Sequence, residues 1–170
     1  MKRQLLLGCG NSRVKHLGLE GDAEWGDLVT LDVDLSCKPD VVHDLNYFPY
    51  PFSDAEFDEI FAFEVLEHVG TQGDWRFFFR QFSELHRILK DGGRIFLTVP
   101  SMQSMWLWGD PGHTRALPEG AFHFLSQKHY AQVGSTSCTD YRSIWKGNLV
   151  IEGKQDTEAS LALVLRKVPV

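Results

Sequence analysis

Cysteine is scarce in this chain. Only Cys9, Cys37 and Cys138 occur in 170 residues, and no two stand in C-x-x-C spacing. That excludes a disulfide framework and a cysteine zinc site, and it fits a reducing, cytoplasmic compartment. Positive charge is also short: 17 Lys and Arg against 23 Asp and Glu leave a formal charge of −6. A broad nucleic-acid footprint needs clustered cations, so this balance argues against one. No apolar run approaches the length of a membrane span. Leu5-Leu6-Leu7 stops at Gly8, too short for a signal-peptide core. Repeats and low-complexity stretches are lacking as well. What is present is ordinary globular usage, 43% hydrophobic and 24% charged. Residues 1–170 suit one domain with a real core.

Short apolar runs set the rhythm. Leu5-Leu7, Leu28-Leu31, Val41-His43, Ile60-Phe63 and Ile95-Val99 read as buried parallel strands. Residues 13–26 carry Gly18, Gly21 and Gly26, so any helix there is short or broken. Pro49 and Pro51 make 47–52 a loop. A helix fits 74–90, where Trp75, Phe78, Phe79, Phe82, Leu85, Ile88 and Leu89 share one face. Asp74 caps its start and Gly92-Gly93 supplies its stop. A long loop, 101–117, is rich in Trp, Gly and Asp. A short helix follows from Pro118 to about Lys128, and 131–147 are irregular. Leu149–Lys154 and Ala159–Lys167 form an antiparallel hairpin. The alternation predicts an α/β, Rossmann-like, mostly parallel sheet covered on its faces. About eight residues separate the second strand from the third, where a parallel crossover takes about a dozen or more. The usual helix there is missing or reduced to a turn.

Open α/β sheets bind ligands at the carboxyl ends of their strands, and polar residues gather at those positions here. Gly8-Cys9-Gly10 either lets backbone amides approach a carboxylate or simply makes a tight strand exit. It is not a dinucleotide fingerprint, because Arg13 stands where the third glycine belongs. Asp32 lies 24 residues beyond Gly8, the spacing of an acid that accepts ribose hydroxyls. The competing reading is a solvated turn acid, like its neighbour Asp34. Asp44 follows the third strand and can take an adenine amine, with Leu45, Asn46, Tyr47 and Phe48 flanking the ring. An Asx turn ahead of the prolines is the equal alternative.

Taken in order, these segments resemble a known family. Leu7-Gly8-Cys9-Gly10-Asn11, Asp32, Asp44-Leu45, the run from Phe57 to Glu64-Val65-Leu66-Glu67-His68-Val69, and Leu85-His86-Arg87-Ile88-Leu89-Lys90-Asp91-Gly92-Gly93 are similar to the ordered motifs of class I S-adenosylmethionine-dependent methyltransferases. The match is to the small type 11-like branch and covers roughly residues 4–100. The resemblance implies seven strands in the order 3-2-1-4-5-7-6, the last antiparallel. It implies that Gly8, Cys9, Gly10 and Asn11 hold the methionine part of S-adenosylmethionine. Asp32 with Val33 takes the ribose, Asp44 with Leu45 the adenine, and Glu64 borders the methyl donor. Three departures stand out. Leu6 replaces an acid that many members carry, Ser12 replaces a third glycine in the turn, and no helix precedes the first strand. The cofactor site is therefore open, or closed by the 101–117 loop or another subunit of a homo-oligomer.

Candidate catalytic residues are Glu64, which leaves a buried strand directly, and His113. His68 sits one helical turn on, and packing is its favoured role. His113 lies in Trp108-Gly109-Asp110-Pro111-Gly112-His113-Thr114-Arg115, after the fifth strand, where Trp108, Asp110, His113 and Arg115 are candidate acceptor-binding residues. Arg115 suits an anionic acceptor. Trp106 and Trp108 either line that pocket or belong to core or interface. His16, His86, His123 and His129 show no ligand spacing, and no metal is expected. The expected activity is methyl transfer to an unidentified acceptor, small or macromolecular. The rival is a degenerate cofactor-binding module acting through protein association.

Overall fold

In the computed structural model, residues 1–15 and 24–170 are described. The expected short or broken helix of 13–26, and His16, fall largely or wholly outside them. Seven strands form one sheet: β1 (Arg3–Leu7), β2 (Asp27–Asp32), β3 (Val41–Val42), β4 (Phe57–Phe63), β5 (Leu89–Pro100), β6 (Leu149–Asp156) and β7 (Ser160–Lys167). Their order is β3-β2-β1-β4-β5-β7-β6. Pairings among β1 to β5 are parallel, while β7 runs antiparallel to both β5 and β6. Leu5, Leu6 and Leu7 sit opposite Val29, Thr30 and Leu31 on one side and Ile60, Phe61 and Ala62 on the other. Both neighbours and both faces are thus occupied, which is why these runs are apolar throughout.

The short crossover has the predicted solution. A single 3-10 turn, Leu35–Cys37, replaces the helix between β2 and β3, capped by the Asp34 carboxylate. β3 is correspondingly only two residues long. The long helix α1 spans Trp75–Ile88, and its Asp74 cap accepts from the Phe77 amide. Its end differs from expectation. The chain passes from Ile88 straight into β5 at Leu89, so Gly92 and Gly93 lie within the strand. A Cβ on Gly93 would lie 2.9 Å from the Asp58 carbonyl of the neighbouring strand, so this glycine serves close strand approach.

Alternation along the strands divides the core. Leu5, Leu7, Ile60, Ala62, Ile95 and Leu97 join the large cluster with Phe79, Phe82, Leu85 and Ile88 of α1. Two further short helices, α2 (Trp106–Gly109) and α3 (Glu119–His123), follow β5. Phe122 of α3 meets Phe82 edge-on at 5.8 Å, and Trp145 donates to the Leu125 carbonyl at 2.9 Å, closing the irregular 124–147 segment over α1. Leu6, Cys9, Phe61, Phe96 and Val164 form a smaller cluster from the alternate positions. No described helix is long and apolar enough to cross a membrane.

Candidate active site

Parallel strands deliver their carboxyl ends to one edge, and the candidate groups meet there. Gly8 leaves β1 at φ +58°, and a Cβ on it would lie 2.3 Å from Val65 Cγ2. The glycine is therefore demanded by the protein's own Val65, packed across from β4. Gly10 also has positive φ, but nothing lies within 4 Å of its missing Cβ. Asp32 ends β2 and grips the bend: Oδ2 accepts from the Gly10 amide at 2.8 Å and Oδ1 from the Asp34 amide at 2.9 Å. Each oxygen keeps a second lone pair. Asp44 makes the Asx turn, its Oδ1 accepting from the Asn46 amide and side chain, both at 2.9 Å. Asn46 Oδ1 in turn accepts from the Gly70 amide.

Glu64 ends β4 in the left-handed region, φ +49°, a conformation that costs a non-glycine residue about 1–3 kcal/mol and concentrates at functional sites. Its amide is held by Thr98 of β5, donating to the carbonyl at 2.9 Å. A 3-10 turn, Leu66–His68, follows. It buries Glu67 completely while leaving His68 exposed. Burial, reinforced by the Glu64 charge, pushes the Glu67 carboxyl up to about 8, against the pull of Arg115. The result is a cleft of about 260 Å³ that includes Gly8, Asp32, Val33, Asp44, Leu45 and Glu64. Leu31, His43, Asn46, Val65, His68 and Val69 complete its wall.

Not every candidate reaches the cleft. The Cys9 side chain is buried in the smaller core cluster and its amide donates to the Leu31 carbonyl. The Gly10 amide is committed to Asp32. These two amides therefore do not point at a ligand, and neither Cys9, Gly10 nor Asn11 lines the cleft. A residue missed in sequence lies over the bend instead. The Arg13 guanidinium donates to the carbonyls of Cys9, Gly10 and Cys37, at 3.1, 2.5 and 3.0 Å, and so ties the bend to the turn after β2. Arg115 also departs from expectation. It is 3% exposed and holds the Leu66 carbonyl and the Gln81 side chain, so it braces the 66–68 turn and is not offered to an anionic acceptor. Trp108 is exposed on α2 and outside the cleft wall, and Trp106 is exposed beside it, neither of them core.

The loop after β5 does return to β4. The Thr114 amide and hydroxyl both donate to the Glu67 carbonyl, at 2.9 and 3.1 Å. This clamp sets the His113 ring edge-on to His68, centroids 4.6 Å apart, with Asp110 Oδ2 3.9 Å from His113 Nε2. His68, read from its spacing as a packing residue, is thus the link between cleft and loop. The signal available in sequence was its place four residues after Glu64, which a 3-10 turn rather than a helix converts into exposure.

Strand ends that bring two carboxylates and a glycine bend to one apolar-walled cleft define a class, the Rossmann-like enzymes that bind a nucleoside. A family model described as "Methyltransferase domain" matches residues 5–97, and the chain belongs to that family. It is a class I S-adenosylmethionine-dependent methyltransferase, with S-adenosylmethionine as its cofactor. Among solved structures, a SAM-dependent methyltransferase from Archaeoglobus fulgidus is similar at TM-score 0.59 and 15% identity, over 98% of this chain and 86% of that one. One from Mesorhizobium loti gives 0.60 and 14%, over 98% and 91%. The cyclase SpnF gives 0.54 and 15%, over 98% and 74%. At such identities the likeness shows the fold alone, and the cyclase illustrates that this fold hosts other reactions. No curated protein matches the chain significantly.

Proposed function

We propose that residues 1–170 act as one catalytic domain that binds S-adenosylmethionine in the Asp32–Asp44–Glu64 cleft and methylates an acceptor held between that cleft and the 105–115 loop. The convergence of these strand ends on one cavity carries the reading. The residues suit the group. Asp32 has lone pairs left for ribose hydroxyls, Asp44 can take the adenine amine, and Leu45, Val33 and Val69 offer apolar surface to the ring. Bound S-adenosylmethionine supplies a methyl group on a sulfonium that leaves as a neutral thioether.

The chain's own task is then to position the nucleophile and take its proton. Alignment alone is worth up to roughly 7–11 kcal/mol. Glu64, an exposed carboxylate in the cleft wall, serves as base for a protonated acceptor. His113 and Asp110 orient the acceptor from the loop. Three free cysteines suit the cytoplasm. The test is calorimetric titration with S-adenosylmethionine and S-adenosylhomocysteine, followed by turnover against an acceptor panel. Binding with turnover is expected. Binding without turnover would favour the degenerate, association-only alternative, and failure to bind either nucleoside would overturn both.

A further inference from the structure

Methyl transfer by positioning leaves one group without a task. Glu67 is 0% exposed, and neither carboxylate oxygen has a hydrogen-bond partner among the described residues. The nearby Arg115 gives two of its N–H groups to the Leu66 carbonyl and Gln81, and none of its hydrogen bonds reaches Glu67. With no donor to hold it as an anion, the Glu67 carboxyl keeps its proton when no ion is present, and a bound cation would take that proton's place.

Two imidazoles complete the setting. His68 Nδ1 lies 3.1 Å from the Gly112 carbonyl, and His113 Nδ1 lies 3.1 Å from the Leu107 carbonyl. A carbonyl only accepts, so each Nδ1 carries a proton, and Nε2 is the atom each ring has to offer a metal ion. Ring nitrogens fixed in this way through a second-shell carbonyl are what metal-ligating histidines show. One donor atom each from Glu67, His68 and His113 lies within 4.8 Å of the others, and His113 Nε2 is 3.9 Å from Glu67 Oε1. Three ligands about 2.1 Å from one tetrahedral ion stand about 3.4 Å apart, so closure draws the donor atoms together by up to about 1.4 Å, a movement that side-chain rotation supplies. Asp110 Oδ2, also 3.9 Å from His113 Nε2, is a second carboxylate within reach.

We propose that Glu67, His68 and His113 bind one divalent transition-metal ion, and that its open positions take a hydroxyl oxygen of the methyl acceptor. Two imidazoles and one carboxylate select zinc-like ions over the oxygen-seeking Mg²⁺ and Ca²⁺. His68 lines the cleft, so the ion lies beside the donor site. An ion there lowers the pKa of a coordinated hydroxyl. The acceptor O–H gives its proton to Glu64, the oxygen lone pair forms the new C–O bond, and the C–S bond breaks with its electrons left on sulfur. This last part rests on the cofactor reading above; the metal site does not.

The experiment uses the full chain stripped with chelator and titrated with Co²⁺, then Zn²⁺, with Mg²⁺ as comparison. One equivalent of Co²⁺ should bind with visible d–d absorption, and Zn²⁺ should displace it. His113→Ala and His68→Ala should each weaken binding at least tenfold. His123→Ala, which removes a ring stacked on His129 elsewhere, should not. Circular dichroism confirms folding of each variant; if His68→Ala fails to fold, His113→Asn carries the comparison. Binding below one equivalent, or binding unchanged in the folded variants, would overturn the site. Acetohydroxamate should shift the Co²⁺ band; an unshifted band overturns the acceptor role. S-adenosylhomocysteine calorimetry on the stripped protein reads the cofactor cleft separately. Nucleoside binding without metal binding sinks this proposal alone, and the reverse sinks the cofactor assignment alone.

Discussion

Replacing Asp32 by alanine perturbs two interactions that can be measured apart. In the folded protein its carboxylate takes the Gly10 and Asp34 amides, at 2.8 and 2.9 Å. Both bonds lie where water can substitute, so their joint loss costs about 1–2 kcal/mol. For a domain of this size that lowers Tm by about 2–8 °C. The second interaction exists only with ligand bound. A hydrogen bond from a ribose hydroxyl to a carboxylate is worth about 1.5–3 kcal/mol, so Kd for S-adenosylhomocysteine should rise about 10- to 150-fold. Calorimetry well below the variant's Tm separates the two. Asp32→Asn keeps an acceptor oxygen and should lose less of both. A folded Asp32→Ala protein whose Kd stays within about twofold of the parent would refute the ribose role and leave Asp32 as a brace for the glycine bend.

Other consequences follow from the same geometry. Arg115→Met strands the Leu66 carbonyl and Gln81 in the interior and should cost about 2–4 kcal/mol in chemical denaturation; a loss under 1 kcal/mol would mean the brace is dispensable. Gly8→Ala meets Val65 as well as the left-handed backbone penalty, whereas Gly10→Ala meets only the second. The first should cost about 2–4 kcal/mol and the second about 1–2, and equal losses would contradict the packing of Val65 against Gly8. His86 is held neutral, its pKa pushed down to about 4 by burial and then by Lys167. The unfolded chain binds that proton from about 6.5 downward, so this residue's contribution to stability falls as pH drops from 6.5 toward 4. His86→Gln should flatten the stability–pH curve in that window, and an unchanged slope would show that His86 does not titrate there.

The loop geometry explains which parts of the molecule could be read early. Leu5-Leu7 and Ile60-Phe63 announced themselves as central strands because burial on two faces leaves no polar position in the run. The helix of 75–88 declared its face and its Asp74 cap for an equally local reason. Its end did not, since Gly92-Gly93 looks like a stop until β4 is present to recruit Leu89 into the sheet. A glycine bend exposes amides in general, which points Cys9 and Gly10 toward a ligand; in the fold the Leu31 carbonyl and the Asp32 carboxylate take both amides. Arg115 looked like an anion-binding loop residue, and only the turn folded over it makes it interior.

Sequence by itself determined the strand ends, the family and the acids at 32, 44 and 64, because each follows from local pattern and chain order. The tertiary structure alone decided that Glu67 is buried without a partner and that His113, 46 residues further on, comes back to face it. No spacing rule links those positions. The link is made by the Thr114 clamp on the Glu67 carbonyl, a contact that exists only once β4 and β5 lie side by side.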